Sequence, residues 1–235
     1  MTGWIYYQFA EHHTSSPLLA SSGKNPETEL VRVIAKFVTS AMAVDQFPVP
    51  TIPEIAFLGR SNVGKSSVIN SLLGAKIAKT SSTPGRTRAI NFFEVRWPGK
   101  PQPEVVFADL PGYGYARVPR DVSGKWSDFV DPYLAERRNL ALCLALVDLN
   151  VPPQESDKRL LEFLRSAGRP FLMVGTKADK LSGNSLSRAL GSFTQHFPEL
   201  RVVPFSARTG SGRDELWREI RAAIEVPESS GKQWA

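Results

Sequence analysis

The chain has 235 residues, 42% hydrophobic and 22% charged, an ordinary balance for a globular protein able to bury a substantial core. Lys and Arg outnumber Asp and Glu by 29 to 23, and the resulting +6 permits contact with nucleic acid or an acidic surface without requiring it. No apolar run approaches the ~20 residues that span a bilayer, and no charged segment leads into a continuous apolar stretch at the N-terminus, so the expectation is a cytoplasmic protein with no membrane contact.

Residues 1–28 have mixed composition and read as a flexible N-terminal extension. Trp4 to Phe9 suits a short strand or a sticky arm. His12 and His13 lack partners at metal-ligand spacing and read as an exposed pair. A single large domain is expected over 29–226, followed by a polar tail at 227–235. Between Glu29 and Met42 the signals compete: Val31, Ile34, Val38 and Met42 fall at helical spacing, while Val31-Arg32-Val33-Ile34 suits the start of a strand. Pro48, Pro50 and Pro53 then stiffen the approach to the apolar run Ile55–Leu58.

Downstream, Ile90–Val95 and Val105–Ala108 read as two strands joined across the turn Trp97–Pro101, an antiparallel pair. A helix is expected over Trp126–Arg138, with Trp126, Phe129, Val130, Tyr133 and Leu134 on one face. Then strand and helix alternate: a strand ending at Asp148, a helix over Glu155–Ala167, the strand Phe171–Val174, a helix over Leu186–His196, the strand Arg201–Val203 and a helix over Arg213–Ile224. This pattern predicts an α/β three-layer sandwich, a mostly parallel sheet of about six strands with one antiparallel strand. Cys143, the sole cysteine, sits inside the run Leu140–Val147 and reads as a packing thiol.

The chemistry begins at Gly59-Arg60-Ser61-Asn62-Val63-Gly64-Lys65-Ser66, followed by Ser67. It stands between a predicted strand and a predicted helix, the context in which G-x-x-x-x-G-K-[ST] forms a phosphate-binding loop. Gly59 and Gly64 let the backbone approach an anion, and the helix adds its positive end. Lys65 would reach the β- and γ-phosphates, and the Ser66 hydroxyl would ligate Mg²⁺. A chance glycine turn would lack this strand–loop–helix order.

Four more signatures support a nucleotide site. Asp109-Leu110-Pro111-Gly112 follows a strand: Asp109 would hold Mg²⁺ and the Gly112 N–H would meet the γ-phosphate. The loop Gly85-Arg86-Thr87-Arg88-Ala89 offers Thr87 as a second Mg²⁺ hydroxyl, with Thr83 as the alternative. Thr176-Lys177-Ala178-Asp179 follows another strand, and a carboxylate at its fourth position accepts from guanine N1–H and the exocyclic amine, with the Lys177 stem against the base. Phe205-Ser206-Ala207 would bring backbone to guanine O6. The guanine-specific carboxylate disfavours an ATP-dependent kinase.

These strings, with Thr83 to Thr87, Asn91-Phe92-Phe93, Tyr113-Gly114-Tyr115-Ala116 and Val147-Asp148-Leu149, resemble the TRAFAC-class P-loop GTPases, and among them the EngB group (also called YihA or YsxC). The resemblance covers about 50 to 225. It implies a GTPase that binds GTP/GDP with Mg²⁺ and assists assembly of the large ribosomal subunit, with rRNA and ribosomal proteins as partners, acting as a monomer and needed for normal division and septation. The alternative is a GTP-gated binding module of the division machinery in which hydrolysis is incidental. Thr176 stands where most relatives outside the group carry Asn. Tyr113 replaces the glutamine that orients water in many small GTPases, so slow unaided hydrolysis is expected. Asn62 is a candidate ligand for a K⁺ that would stand in for an arginine finger, or else a loop-capping amide. The catalytic candidates are therefore Lys65, Asn62 and Thr87.

Overall fold

The computed structural model describes residues 33–78, 89–113 and 120–225, with backbone alone for 120–127. The expected N-terminal extension, the C-terminal tail and the candidates Thr83, Gly85, Arg86, Thr87 and Arg88 lie outside these residues. Seven strands are present: β1 (Ile34–Ala41), β2 (Glu54–Gly59), β3 (Ile90–Arg96), β4 (Val105–Asp109), β5 (Leu140–Asp148), β6 (Phe171–Thr176) and β7 (Val202–Pro204). The helices are α1 (Lys65–Leu73), α2 (Arg120–Glu136), α3 (Glu155–Ser166), α4 (Gly183–His196) and α5 (Arg213–Ile224).

The strands form one sheet in the order β1-β3-β4-β2-β5-β6-β7. β3 runs antiparallel to both β1 and β4, and the remaining pairs are parallel. The sheet thus has the one antiparallel strand the turn at Trp97–Pro101 implies, and one strand more than the six expected. The extra strand is β1, where the periodicity was ambiguous. Antiparallel pairing with β3 over Ile34 to Ala41 decides it, and it sets Phe37 edge-on against its cross-strand partner Phe93 at 5.7 Å.

Alternation along the central strands splits the core. Ile55 and Phe57 of β2 face a cluster with Val68, Ile69 and Leu72 of α1 and Leu216, Trp217 and Ile220 of α5. Ala56 and Leu58 face the opposite cluster with Phe129, Tyr133 and Leu134 of α2 and Leu164 of α3. Ala145 and Val147 of β5 pack with Leu161 of α3 and Phe193 of α4. Period-two burial on both faces is what a sheet covered by helices on each side requires. Burial pushes the Cys143 thiol up to about 12, which suits the packing role. Among the described residues no helix is long and apolar enough to cross a membrane.

Candidate nucleotide-binding site

The parallel strands β2, β4, β5, β6 and β7 end on the same edge of the sheet, and the polar signatures gather there, as ligand sites do in open α/β sheets. β2 runs into the loop Arg60–Gly64, and α1 starts at Lys65 with Gly64 as its cap at φ 106°. That left-handed conformation favours glycine, and the first turn of the helix leaves amides with no partner in the helix, facing the loop's concave side.

Lys65 is buried at 9% exposure, and its ammonium lies 4.0 Å from Asp109 Oδ1 at the end of β4. The Ser66 hydroxyl donates to Asp109 Oδ2 at 3.4 Å. Burial holds Lys65 below its usual lysine range against the opposing pull of Asp109. Burial likewise raises Asp109 above the usual carboxylate range, with Lys65 and Ser66 opposing it. Both charges are incompletely compensated, and Asp109 Oδ1 is buried without a hydrogen-bond partner among the described residues. A polyanion at Lys65 and a divalent cation between Ser66 and Asp109 would relieve both at once. Hydroxyl and carboxylate oxygens are the donors Mg²⁺ takes, so the residues present fit it.

The segment after Asp109 lies on the phosphate loop. The Leu110 N–H donates to Phe57 O, the Tyr113 N–H to Gly59 O and the Ser61 N–H to Tyr113 O. Gly112 is pressed against the loop: a Cβ there would fall 2.9 Å from Ser61 Oγ and 3.0 Å from its backbone. Leu110 and Pro111 are buried beneath it, and Ala89 lies next to the start of β3.

The base end is joined to the same loop. The Thr176 hydroxyl sits 2.6 Å from Val63 O and 3.0 Å from Val147 O, so the threonine makes a contact to the loop with one proton between two carbonyls. Lys177, at φ 59°, donates to Asn62 O at 2.8 Å and to Asp148 Oδ2 at 2.6 Å. Burial raises Asp148, but hydrogen bonds from Lys177 and Asn150 outweigh it and hold the carboxyl below its usual range. Asp179 accepts from the Ser206 hydroxyl at 2.7 Å, and Ser206 Oγ accepts in turn from the Thr209 N–H. Phe205 is fully buried, its N–H bonded to Gly175 O, while Ala207 is exposed. Asn62 adopts φ 64°, and its side-chain amide is exposed with no hydrogen bond among the described residues.

The described candidates therefore converge, from Gly59–Ser67 through Asp109–Gly112 and Thr176–Asp179 to Phe205–Ala207. Sequence reasoning assigned no role to Asp148, which holds Lys177, or to the side chain of Ser206, which orients Asp179. Asp148 carried a signal, since it ends an apolar strand at the same edge as Asp109.

Residues 54–177 match the family described as "50S ribosome-binding GTPase". Over 203 residues the chain is 56% identical to the "Probable GTP-binding protein EngB" of Koribacter versatilis, covering 86% of this chain and all of the relative. A crystal structure of a probable GTP-binding protein engB superposes with a TM-score of 0.56 at 25% identity, covering 73% of this chain and 98% of that one. The protein Era, crystallised with MgGDPNP and a segment of 16S ribosomal RNA, gives a TM-score of 0.63 at 25% identity, covering 76% of this chain and 58% of that one. The match over most of the chain's length, on a site whose buried lysine and unpaired carboxylate call for phosphates and a divalent cation, makes this chain a GTPase of the EngB family.

Proposed function

We propose that the chain is a GTP-hydrolysing switch that assists assembly of the large ribosomal subunit, and through it normal division and septation, in the cytoplasm. The observation that carries this reading is the docking of the Asp109–Tyr113 segment on the phosphate loop, in a chain whose family is described as binding the 50S ribosome. A segment placed to sense the γ-phosphate gives two states that a partner can tell apart.

In this reading Lys65 binds the β- and γ-phosphates, while Ser66 and Asp109, with Thr87 from the preceding loop, hold Mg²⁺. When bound, the cation neutralises charge on the β- and γ-phosphate oxygens. Asp179, oriented by Ser206, accepts from guanine N1–H and the exocyclic amine. The Ser206 amide is already bonded to Ser211 O, which leaves the Ala207 amide for guanine O6. In this reading Asn62, whose amide caps nothing among the described residues, ligates K⁺ beside the phosphates. Turnover should therefore rise when Na⁺ is replaced by K⁺ at equal ionic strength, and Asn62→Ala should abolish the rise. Equal rates in both salts would assign the missing catalytic group to a partner.

Arg86, Arg88, Arg117 and Arg120, with Tyr115 among them, supply phosphate pairing and base stacking for rRNA, whereas the Tyr113 hydroxyl is bonded to Asp157 instead. The test is co-sedimentation of the protein with ribosomal particles. Binding should depend on a non-hydrolysable GTP analogue, favour the large subunit or its precursors, and weaken as salt rises. Binding equal with GDP and GTP, or no binding beside retention by division proteins, would overturn the ribosomal reading in favour of a division-machinery module.

A further inference from the structure

Tyr113 follows the Asp109–Gly112 motif directly, and its phenol is committed away from the phosphates. Its hydroxyl donates to Asp157 Oδ1 at 3.1 Å, on the first turn of α3. Asp157 is itself fixed. It is 4% exposed, and its other oxygen accepts the Gln154 backbone N–H at 3.3 Å, capping the helix. Burial raises the Asp157 carboxyl above its usual range, while the hydrogen bonds from Tyr113 and Gln154 and the charge of Arg60, on the phosphate loop, oppose it. Burial pushes the Tyr113 phenol above its ordinary value, with Asp157 adding to the effect, so the proton stays on the donor side of the bond.

The main chain of Tyr113 is held as well, N–H to Gly59 O at 3.3 Å and C=O from the Ser61 N–H at 3.1 Å. These two bonds, and a longer one from the Ser61 hydroxyl to Gly112 O at 3.4 Å, all tie the segment to one short loop, so it can still tilt together with that loop. An anchor on a different element removes that freedom. Asp157 is that anchor, and Gly112 is the peptide it steadies.

We propose that Asp157 is a positioning residue for γ-phosphate recognition: through the Tyr113 hydroxyl it holds Gly112 and Tyr113 on the phosphate loop, and so sets how much better the site binds a nucleoside triphosphate than a diphosphate. The proposal rests on the reading that the Gly112 N–H meets the γ-phosphate. A diphosphate has no group at that place and is indifferent to the order of the segment. A triphosphate must order it, and an anchor present beforehand removes that cost. A tyrosine that merely packed would affect stability, or both nucleotides equally.

The experiment measures affinities of the full chain for GDP and for a non-hydrolysable GTP analogue in Mg²⁺, with the melting temperature of each variant alongside. Tyr113→Phe keeps the ring and deletes the bond. It should lower triphosphate affinity about tenfold or more, the effect of losing one hydrogen bond to a charged group, with GDP affinity within about twofold. Asp157→Ala should give the same ratio with a lower melting temperature from the lost cap, and Tyr113→Phe with Asp157→Ala should add nothing further to the ratio. Asp157→Asn, whose amide can serve both Tyr113 Oη and the Gln154 N–H, should restore most of it. An unchanged ratio in Tyr113→Phe, a fall shared by both nucleotides, or a rise in triphosphate affinity would each overturn the proposal. Gly112→Ala separates the two layers. If the ratio survives it, the Gly112 reading falls and takes the proposal with it. If Gly112→Ala loses the ratio while Tyr113→Phe keeps it, the proposal alone falls.

Discussion

The sheet buries a carboxylate and a cation at each of its two ends, and the two pairs are built differently. At the amino ends of the parallel strands, Glu54 is 1% exposed and fully bonded. Arg137 reaches it with Nε at 3.0 Å and Nη2 at 2.5 Å, and the Tyr133 hydroxyl adds a third bond at 2.8 Å. Arg137 also donates to Pro48 O and lies over the rings of Phe47 and Tyr133. At the carboxyl ends, Asp109 has among the described residues only Lys65 at 4.0 Å and Ser66 at 3.4 Å, and one oxygen has no hydrogen-bond partner there. The first pair is complete without a ligand. The second is short by a cation and an anion, as a site for a nucleotide and its divalent cation would be. Satisfaction marks the structural pair, and its absence marks the functional one.

The sharpest way to break this comparison is to remove one member of each pair and read stability and binding together. Glu54→Ala strands the Arg137 guanidinium in the core and should destabilise the fold by about 3–5 kcal/mol, while the folded fraction keeps its GTP affinity. Lys65→Ala should do the reverse. Asp109 is already raised by burial and can take up a proton, so the fold loses little, while GTP affinity falls about a hundredfold. Chemical denaturation and nucleotide titration of both variants check the crossing. If Glu54→Ala cripples nucleotide binding, or Lys65→Ala binds GTP normally, the division of labour between the two ends is wrong.

A smaller effect sharpens the picture at the base end. Asp179→Asn removes the acceptor for two guanine donors, and each buried donor left unpaired costs about 1–3 kcal/mol. GTP affinity should fall accordingly while xanthosine triphosphate binds better than in the wild type. Ser206→Ala should move affinity the same way by less, because it frees the carboxylate that the serine orients at 2.7 Å without removing it. Wild-type GDP affinity in Asp179→Asn would remove the guanine assignment.

The contrast between the two ends also explains what could be read from the sequence. Lys65, Asp109 and Asp179 could be proposed from sequence because phosphate, cation and guanine would each demand a residue type at or just after a strand end, at a spacing fixed by the adjoining loop. Glu54 and Arg137 could not, because a structural pair answers only to packing and here joins residues 83 apart in sequence. Asp157 failed for a related reason: its spacing from Gln154 signals a helix start, and nothing local reveals that Tyr113 reaches it. β1 was ambiguous because Val31, Ile34, Val38 and Met42 satisfy a helical period, and only the partner strand β3 decides the matter. The succession of strands and helices along the chain indicated the layers without such help, and helices do pack both faces.

The smallest predicted effect lies at the joint between base site and phosphate loop. Asp148 holds Lys177, and Lys177 holds the Asn62 carbonyl, so acidification should loosen the loop from this side. The hydrogen bonds of Lys177 and Asn150 keep the folded carboxyl below its unfolded value of about 3.9 despite partial burial. A depressed folded value means the contribution is fully present above the unfolded value and is lost as pH falls through the folded one. Asp148→Asn should therefore lower the melting temperature of the nucleotide-free protein at neutral pH, by an amount that shrinks as pH drops below about 4. The two curves should converge in acid, because protonated Asp148 and the amide both lack the charge that Lys177 answers. Curves that stay parallel across this range would mean that the pair stabilises through packing rather than charge, and would leave Thr176, with its hydroxyl 2.6 Å from Val63 O, as the main tie between base site and loop.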